Sequence, residues 1–540
     1  LPLAIELAAA RMAVFMPQTL LRRLAQQGNQ RTIPLLAEGP PDAPERQRTL
    51  DNTIAWSYHL LTAEEQRLFR QLSVFAGGVT FDTAEQVFGA TAVRQIEGLV
   101  RKSLLTLRED ADGEARFTML ETIREFASAR LAEHGEAAAA HETHAASFVQ
   151  LAEDAERQLR GPEQLRWLNR LDDEQGNIRA ALSWLAERAE GGDEAVAQVG
   201  LCLAGPLWRY WHMRGRYAEA KFWLRRFLDL PAARIPTAAR ARALYGAGFI
   251  EDSVARQEEG LAIQREHGDK AGIAYALFGL GMALFPTPQH KANGQADEQR
   301  CEAAVRGSLA LYREVEDDFG AAWALTYLGG LAHHKEDYTA ARLLYEESLA
   351  IRRRLGDLHG IASSLQALAL TSRRTGDLTR AEREYEESTD IWRRLGVKTL
   401  PVADALSHLA QLKRDRRETD RAEALFEGSL AIYRHLGETQ RAAAIEAELS
   451  RLARSDEAER PKAGPSPFPW ASQQAQAAGL TPREWEVLDL LVLGASTNAI
   501  AAKLSISRHT AVRHIASILG KLGAKTRGAA VAKATGLRQR

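Results

Sequence analysis

Apolar residues recur every three or four positions along most of this 540-residue chain, a period that predicts amphipathic helices packed against one another. The pattern is clear over residues 49–60 and 63–75, which precede a turn at Ala76-Gly-Gly-Val79. It is also present over residues 151–200, although their place in the architecture is not evident from the pattern. No apolar run approaches the length of a membrane-spanning helix, so we expect a soluble, predominantly α-helical protein.

One stretch departs from the helical period. Residues 99–107 read as the end of a helix that passes into a strand, and residues 116–119 read as a second strand. Between them, Asp110-Ala-Asp-Gly-Glu114 has the composition of a hairpin turn. Three helices followed by a hairpin are the organisation of a winged helix, which we predict for residues 45–150.

Internal repeats dominate the second half of the chain. A six-residue motif recurs at intervals of 40, 40 and 41 residues, as Ser308-Leu-Ala-Leu-Tyr-Arg, Ser348-Leu-Ala-Ile-Arg-Arg, Ser388-Thr-Asp-Ile-Trp-Arg and Ser429-Leu-Ala-Ile-Tyr-Arg. A weaker copy starts at Gly260, 48 residues before the first. The longer interval has a local cause, because residues 285–294 carry two prolines and a glycine and are expected to form an inserted loop.

Small residues recur within each repeat where two helices would touch. Each pair lies twelve residues apart and is followed one helical turn later by an aromatic residue: Gly329, Ala341 and Tyr345; Ala369, Ala381 and Tyr385; Ala410, Ala422 and Phe426. This register resembles tetratricopeptide repeats in a long form of about 40 residues. The resemblance implies a superhelix of stacked helix pairs over residues 151–454, with a concave face that binds a partner.

The charge of the chain is segregated. Residues 480–540 contain ten Lys or Arg against three Asp or Glu, whereas the chain as a whole has a net charge of −1. A proline-rich stretch at residues 455–478 precedes this basic end and is predicted to be an extended linker. A compact basic module on a mildly acidic body is typical of proteins that bind nucleic acid.

The basic end has the spacing of a helix-turn-helix. Thr481, Pro482 and Glu484 form a capping box that opens a first helix, which buries Leu488, Leu491 and Trp485 and ends at Gly494. A short second helix starts at Ser496 or Thr497, and Ser507 caps a third that runs to about Leu522. A tight Ser505-Ile-Ser turn joins the second helix to the third.

The third helix has two contrasting faces. Its apolar stripe consists of Ala511, Ile515, Ile518 and Leu522. The opposite face carries His509, Arg513, Ala516 and Gly520, with Val512 and Ser517 at its edges. A face with an arginine, small residues and no acid suits contact with phosphates and base edges, whereas an ordinary solvated surface would tolerate acids.

Residues 480–534 resemble a LuxR-type helix-turn-helix, through Leu480-Thr-Pro-Arg-Glu484, Val487-Leu488, Gly494, Ile500-Ala501, Leu504, Ser507, Thr510, His514, Ile518 and Lys521-Leu522. The resemblance implies base-edge contacts from Val512, Arg513 and Ala516, and backbone contacts from Thr510, Lys521, Lys525 and Arg527. His509 is a further DNA-facing candidate, and the helix from Thr526 would form the family's dimerisation surface. Ala511 stands where the family usually has a valine, and Val512 stands where it usually has a polar residue.

The front of the chain resembles the back end of STAND-type signalling NTPases, through Leu1–Ala10 and Met119–Ala127. Residues 1–44 would then be a remnant of an NTPase helical domain, and the chain the C-terminal part of a longer protein. The resemblance makes Pro2 a candidate nucleotide contact, although a first-turn proline explains it equally well. Leu120 stands where related proteins often carry a phosphate-contacting histidine, which argues against nucleotide sensing by the winged helix.

These patterns together predict a cytoplasmic LuxR-type transcriptional regulator that binds promoter DNA as a dimer or higher oligomer, with an effector or protein partner on the repeats. Two alternatives remain: a tetratricopeptide-repeat scaffold with an accessory basic module, and part of an ATP-dependent STAND switch. No metal site is expected, because His141 and His144 have no clear third ligand and Cys202 and Cys301 have no CxxC partner. No cofactor is expected in this chain. ATP or ADP would be bound only together with an upstream NTPase core.

No stretch of the chain fits Gx4GK[ST], so the phosphate-binding loop and the magnesium-binding hydroxyl of a P-loop NTPase are missing. We therefore predict that residues 1–540 neither hydrolyse ATP nor bind it tightly. Isothermal titration with Mg-ATP should give no heat of binding. A micromolar dissociation constant would contradict the prediction.

Overall fold

The structure, a computed structural model, describes residues 50–109, 113–286, 295–459, 479–504, 506, 508–524 and 526–538. These residues form 26 α-helices and three short strands, which confirms the predominantly α-helical class. The contacts divide the chain into two units, Leu1–Ala405 and Leu406–Arg540. The predicted NTPase remnant with Pro2, most of the predicted linker, and residues 287–294 of the insertion lie outside the described residues.

The front of the described chain combines helices with a small antiparallel sheet. Its elements are α1 (Leu50–His59), α2 (Ala63–Leu72), β1 (Val79–Thr80), α3 (Phe81–Phe88), α4 (Ala92–Arg101), β2 (Thr106–Glu109) and β3 (Ala115–Thr118). The strand order is β1-β3-β2, so the predicted hairpin forms and gains a third strand. The predicted winged helix is therefore present between α2 and β3, with residues 110–112 of its hairpin turn outside the described residues.

The added strand corrects the prediction of a simple turn at residues 76–79. Gly78 adopts a φ of +77°, and a Cβ at this position would lie 2.5 Å from the carbonyl oxygen of Phe117. The glycine therefore lets the backbone approach β3 closely enough for Val79 to pair with Phe117. A strand of two residues has no alternation of its own, so it depends on β3 for its partners.

Residues 151–200, which the sequence left unplaced, connect the winged helix to the repeats. Helix α5 (Glu121–Glu133) follows β3, and residues 151–200 lie in α6 (Ala137–Gln158), α7 (Gln164–Asp173), α8 (Gln175–Glu190) and α9 (Glu194–Ala204). Arg116 of β3 forms a buried ion pair with Glu174, at 2.6 Å between Nη2 and Oε1. Asn177 bonds the backbone of Gly77 and Gly78, at 3.0 and 2.9 Å. The predicted boundary at residue 150 lies inside α6, which is one continuous helix.

Paired helices follow, as the sequence repeats require. They are α10 (Trp208–Met213), α11 (Tyr217–Leu228), α12 (Ala238–Glu251), α13 (Val254–His267), α14 (Lys270–Ala283), α15 (Gln295–Glu314), α16 (Asp318–His334), α17 (Tyr338–Leu355), α18 (Leu358–Arg374), α19 (Leu378–Leu395), α20 (Leu400–Asp415), α21 (Thr419–Leu436) and α22 (Thr439–Glu459). The last helix extends to Glu459, five residues into the stretch predicted to be linker.

The small and aromatic positions of the repeats pack as predicted. All nine residues of the register are buried, and a Cβ on Gly329 would lie only 2.6 Å from the ring of Tyr345. The serine that opens two of the motifs also forms a hydrogen bond. The hydroxyl of Ser348 donates to the carbonyl of Ala322 at 2.8 Å, and that of Ser388 donates to Ala362 at 2.7 Å. These two repeats are thus tied to the preceding helix by a buried hydrogen bond, whereas the buried hydroxyl of Ser308 has no partner among the described residues.

The second unit ends in four helices: α23 (Pro482–Val492), α24 (Thr497–Lys503), α25 (Arg508–Lys521) and α26 (Arg527–Arg538). Their own apolar core includes Trp485, Leu488, Ile500, Ala511 and Ile518. Within the described part of the chain, no helix combines the length and apolar character needed to cross a membrane.

The repeat packing predicts the effect of a bulky substitution. Ala381 is fully buried, whereas Leu378 on the same helix is 48% exposed. Ala381→Trp should overpack the helix pair and lower the free energy of unfolding by roughly 1–3 kcal/mol, whereas Leu378→Trp should be close to neutral. Thermal melting of the full chain measures both. An unchanged melting temperature for Ala381→Trp would show that the register is wrong.

Candidate nucleic-acid interface

Helix α23 begins at the predicted capping box. The side chain of Thr481 accepts a hydrogen bond from the amide of Glu484 at 3.3 Å, and the carboxylate of Glu484 accepts one from the amide of Thr481 at 2.7 Å. Pro482 occupies the first helical position, where no backbone donor is needed. These three residues fix where the helix starts.

The carboxylate of Glu484 also holds α25 in place. Its Oε1 atom accepts a hydrogen bond from Ser517 at 2.5 Å, and its Oε2 atom pairs with Nζ of Lys521 at 2.6 Å. Burial raises the pKa of the Glu484 carboxyl group, but the hydrogen bonds from Lys521, Ser517 and Thr481 outweigh it and lower the pKa to about 2. One residue therefore caps the first helix and anchors the third.

The apolar stripe of α25 packs inward as predicted. Ala511 and Ile518 are fully buried, and Ile515 and Leu522 pack beside them against the core. The opposite face is open, because Arg513, Ala516 and Gly520 are exposed and Val512 is 48% exposed. The structure thus places the three predicted base-edge residues together on one exposed surface, which we call the α25 face: Val512, Arg513 and Ala516.

Two glutamates of the last repeat pair lie near this face. The guanidinium of Arg513 is 3.7 Å from a carboxylate oxygen of Glu423 and 3.8 Å from one of Glu427, both on α21. The arginine side chain remains 58% exposed. Long, exposed ion pairs contribute little, so these carboxylates leave the guanidinium of Arg513 available to another acceptor.

The remaining predicted contacts are distributed around α25. Thr510 is half-buried, and the Lys521 side chain is 36% exposed beyond its bond to Glu484. Arg527 donates to the carbonyl of Ala495 at 2.8 Å and to the hydroxyl of Thr497 at 3.2 Å, which joins the start of α26 to α24. The side chain of His509 and all of Lys525 lie outside the described residues.

Some basic residues have structural partners that sequence reasoning missed. Arg483 donates to the carbonyl of Leu504, and Lys533 donates to the carbonyls of Leu522 and Gly523 at 2.7 and 3.1 Å. Their hydrogen bonds close the ends of α24 and α25. Part of the positive charge therefore stabilises the domain itself, and net charge alone could not separate these residues from Arg513.

The histidine pair of α6 takes part in packing. His144 is buried with its ring centroid 4.7 Å from that of Phe75 and 4.8 Å from that of Phe148. Burial lowers the pKa of His144 to about 3. His141 stacks on Trp184 with centroids 5.5 Å apart. Among the described residues, no three His, Cys, Asp or Glu side chains are grouped closely enough to hold a metal ion.

Three family profiles match the chain. A winged helix-turn-helix domain matches residues 61–132, tetratricopeptide repeats match residues 320–394 and 360–435, and bacterial regulatory proteins of the luxR family match residues 478–534. The spore germination protein GerE of Bacillus subtilis is 48% identical over 52 residues, which are 10% of this chain and 70% of GerE. The chain belongs to the luxR family. The predicted winged helix, repeats and helix-turn-helix are thereby confirmed.

Longer relatives share more of the chain. An HTH-type transcriptional regulator of Mycobacterium tuberculosis is 32% identical over 301 residues, which are 52% of this LuxR-family chain and 32% of the relative. The chain thus spans about a third of that relative's length. The crystal structure of a STAND protein with a tetratricopeptide repeat sensor, from Pyrococcus horikoshii, is 13% identical with a TM-score of 0.46; the match covers 94% of this chain and 71% of that one.

The lowered pKa of Glu484 predicts an acid sensitivity. A carboxyl group whose pKa is lower in the folded state stabilises the fold above its unfolded pKa, near 4.3, and that contribution disappears as the pH falls towards 2. Glu484→Gln should cost roughly 1–3 kcal/mol at pH 7 and flatten the loss of stability between pH 4 and pH 2. Denaturant unfolding of residues 478–540 at several pH values measures this.

Glu486→Gln is the matched control, because Glu486 lies on the same helix and its side chain is 41% exposed in a surface pair with Arg483. It should leave both the stability at pH 7 and the acid profile nearly unchanged. Equal acid profiles for the two variants would show that Glu484 does not anchor α25.

Proposed function

We propose that this chain is a sequence-specific transcriptional regulator whose C-terminal helix-turn-helix binds duplex promoter DNA through α25. The observation that carries the proposal is the α25 face, on which Val512, Arg513 and Ala516 are exposed on a helix that contains no acidic residue. A helix of this kind fits the major groove, where a planar guanidinium can donate two hydrogen bonds to guanine.

The backbone contacts would come from the rim of this face. Thr510 lies at the first turn of α25 and Lys521 at its last residue, with Lys525 and Arg527 following in the chain. Side chains at these positions reach phosphates more readily than base edges, so they would position the helix on DNA without reading its sequence. We further propose that two copies bind together through α26, which would match a two-part operator.

The repeat region would bind the partner that controls this activity. Stacked helix pairs offer a long surface that suits a protein or a small effector. A scaffold would use the same repeats but would not require an acid-free α25 face. Binding to duplex DNA therefore separates the regulator from the scaffold.

Arg513 should carry much of the sequence preference. Arg513→Ala is expected to weaken binding to the selected site by about 1–3 kcal/mol and to relax the preferred base at one position. Lys525→Ala should instead weaken all sequences alike and reduce the salt dependence by about one phosphate contact. Selection from random duplexes, followed by fluorescence anisotropy with the full chain, distinguishes the two effects.

Arg353→Ala is the control for loss of one positive charge, because Arg353 is an exposed arginine of the repeats, paired with Glu387. It should select the same motif with the same affinity as the unmodified chain. Identical motifs for the unmodified chain and Arg513→Ala would exclude Arg513 as the base reader.

A further inference from the structure

The first unit closes on itself, because helices before the repeats contact helices within them. The side chain of Gln164 donates to Asp357 at 2.7 Å and accepts from the amide of His359 at 2.9 Å. Further along, the amide of Lys398 donates to the carbonyl of Met213 at 3.2 Å. These bonds join positions almost 200 residues apart, linking α7 to the start of α18 and the end of α10 to the residues that follow α19.

A group of cationic and aromatic side chains is enclosed at this closure. The guanidinium carbon of Arg352 lies 4.0 Å from the ring centroid of Trp323, and the ring of His359 lies 5.9 Å from that of Trp323. From α10, His212 lies 6.1 Å from His359, and Arg209 lies over the ring of Phe319 at 4.8 Å. We call Arg209, Arg352, Trp323 and His359 the arginine cluster.

Several donors of the arginine cluster have no acceptor. Arg352 is fully buried and uses Nη1 to bond the carbonyl of Gly360, but its Nε and Nη2 atoms have no hydrogen-bond partner among the described residues. Nε1 of Trp323 and Nδ1 of His359 are likewise buried without a partner there. Native structures rarely leave so many buried polar atoms unsatisfied at one place, so each requires an explanation.

The two arginines of the cluster also form no direct ion pair with another described residue. In the described part of the chain, no carboxylate oxygen lies within 4.0 Å of a side-chain nitrogen of Arg352 or Arg209. Asp357 is the acid that acts on Arg352: its Oδ1 atom accepts bonds from Gln164 and from the amide of Gly360, and its Oδ2 atom is buried without a hydrogen-bond partner among the described residues. Burial and Arg209 lower the pKa of Arg352 to about 10, which still leaves the guanidinium charged at neutral pH.

The free atoms specify the chemistry of the missing partner. Nε and Nη2 form one edge of the guanidinium fork, the geometry that binds two oxygens of a carboxylate or phosphate. The indole of Trp323 can add a third donor, and neutral His359 can add a fourth as its Nδ1–H tautomer. A buried guanidinium edge without acceptors is costly, and an oxyanion at this edge would remove that cost.

We propose that the arginine cluster is the binding site for an oxyanion group, a carboxylate or a phosphate, of a small-molecule ligand of the repeat array. The ligand would bridge α10 and α17, so its binding would strengthen the closure of the first unit. The site lies outside residues 479–540, so its failure would leave the DNA-binding proposal intact, and the reverse also holds.

Inorganic phosphate and acetate are the probes for the two oxyanion classes. The melting temperature of the full chain should rise when either anion replaces chloride at constant ionic strength and pH, and the more effective anion identifies the class. Arg352→Met, which keeps the apolar stem against Trp323, should abolish the rise. Arg353→Met, the same change at an exposed neighbour paired with Glu387, should retain it.

Calorimetric titration provides a second measurement. Arg209→Met should weaken anion binding by about tenfold or more without removing the guanidinium fork of Arg352. If circular dichroism shows that Arg352→Met does not fold, Arg209→Met replaces it as the test variant. The proposal is overturned if neither anion produces a larger response in the unmodified chain than chloride does. An equal response in the Arg352 or Arg209 variant would also overturn it.

Discussion

The contact between a small residue and an aromatic ring is the constraint on which the long repeat region depends. Gly329 leaves no space for a Cβ because the ring of Tyr345 fills it, and Ala381 is equally buried one repeat later. Repetition of this contact fixes the spacing of successive helix pairs. The array then returns to the helices that precede it, where Gln164 bonds Asp357. A local packing rule therefore produces contacts between very distant positions.

A different interaction organises the C-terminal domain. Glu484 accepts bonds from Thr481, Ser517 and Lys521, so one buried carboxylate sets both the start of α23 and the orientation of α25. The apolar stripe with Ala511 and Ile518 faces the core, so Arg513 is left exposed on the other side of the helix. The anchoring bonds all come from residues of this domain, so they organise the proposed reading surface, and a preorganised surface reduces the cost of binding.

Local sequence pattern was sufficient to predict the repeats and the C-terminal helices. The repeat register, the capping box at Thr481 and the apolar stripe with Ala511 and Ile518 depend on residues close in sequence, so helical periodicity was sufficient. The two-residue strand at Val79 and the second role of Glu484 depend on partners more than 30 residues away. The enclosure of Arg352 depends on closure of the array, and a charged residue in a repeat motif reads as solvent-exposed from sequence alone.

The central claim is that the α25 face binds duplex DNA, and the salt dependence of binding by the full chain tests it most directly. If α25 lies in the groove with cations on the phosphates, the logarithm of the binding constant must fall linearly with the logarithm of salt concentration, and a selected sequence must bind more tightly than a scrambled duplex at every salt concentration. If the chain binds all duplexes equally, or binds DNA weakly or not at all even at low salt, the result would contradict the proposal of a transcriptional regulator and favour a repeat scaffold.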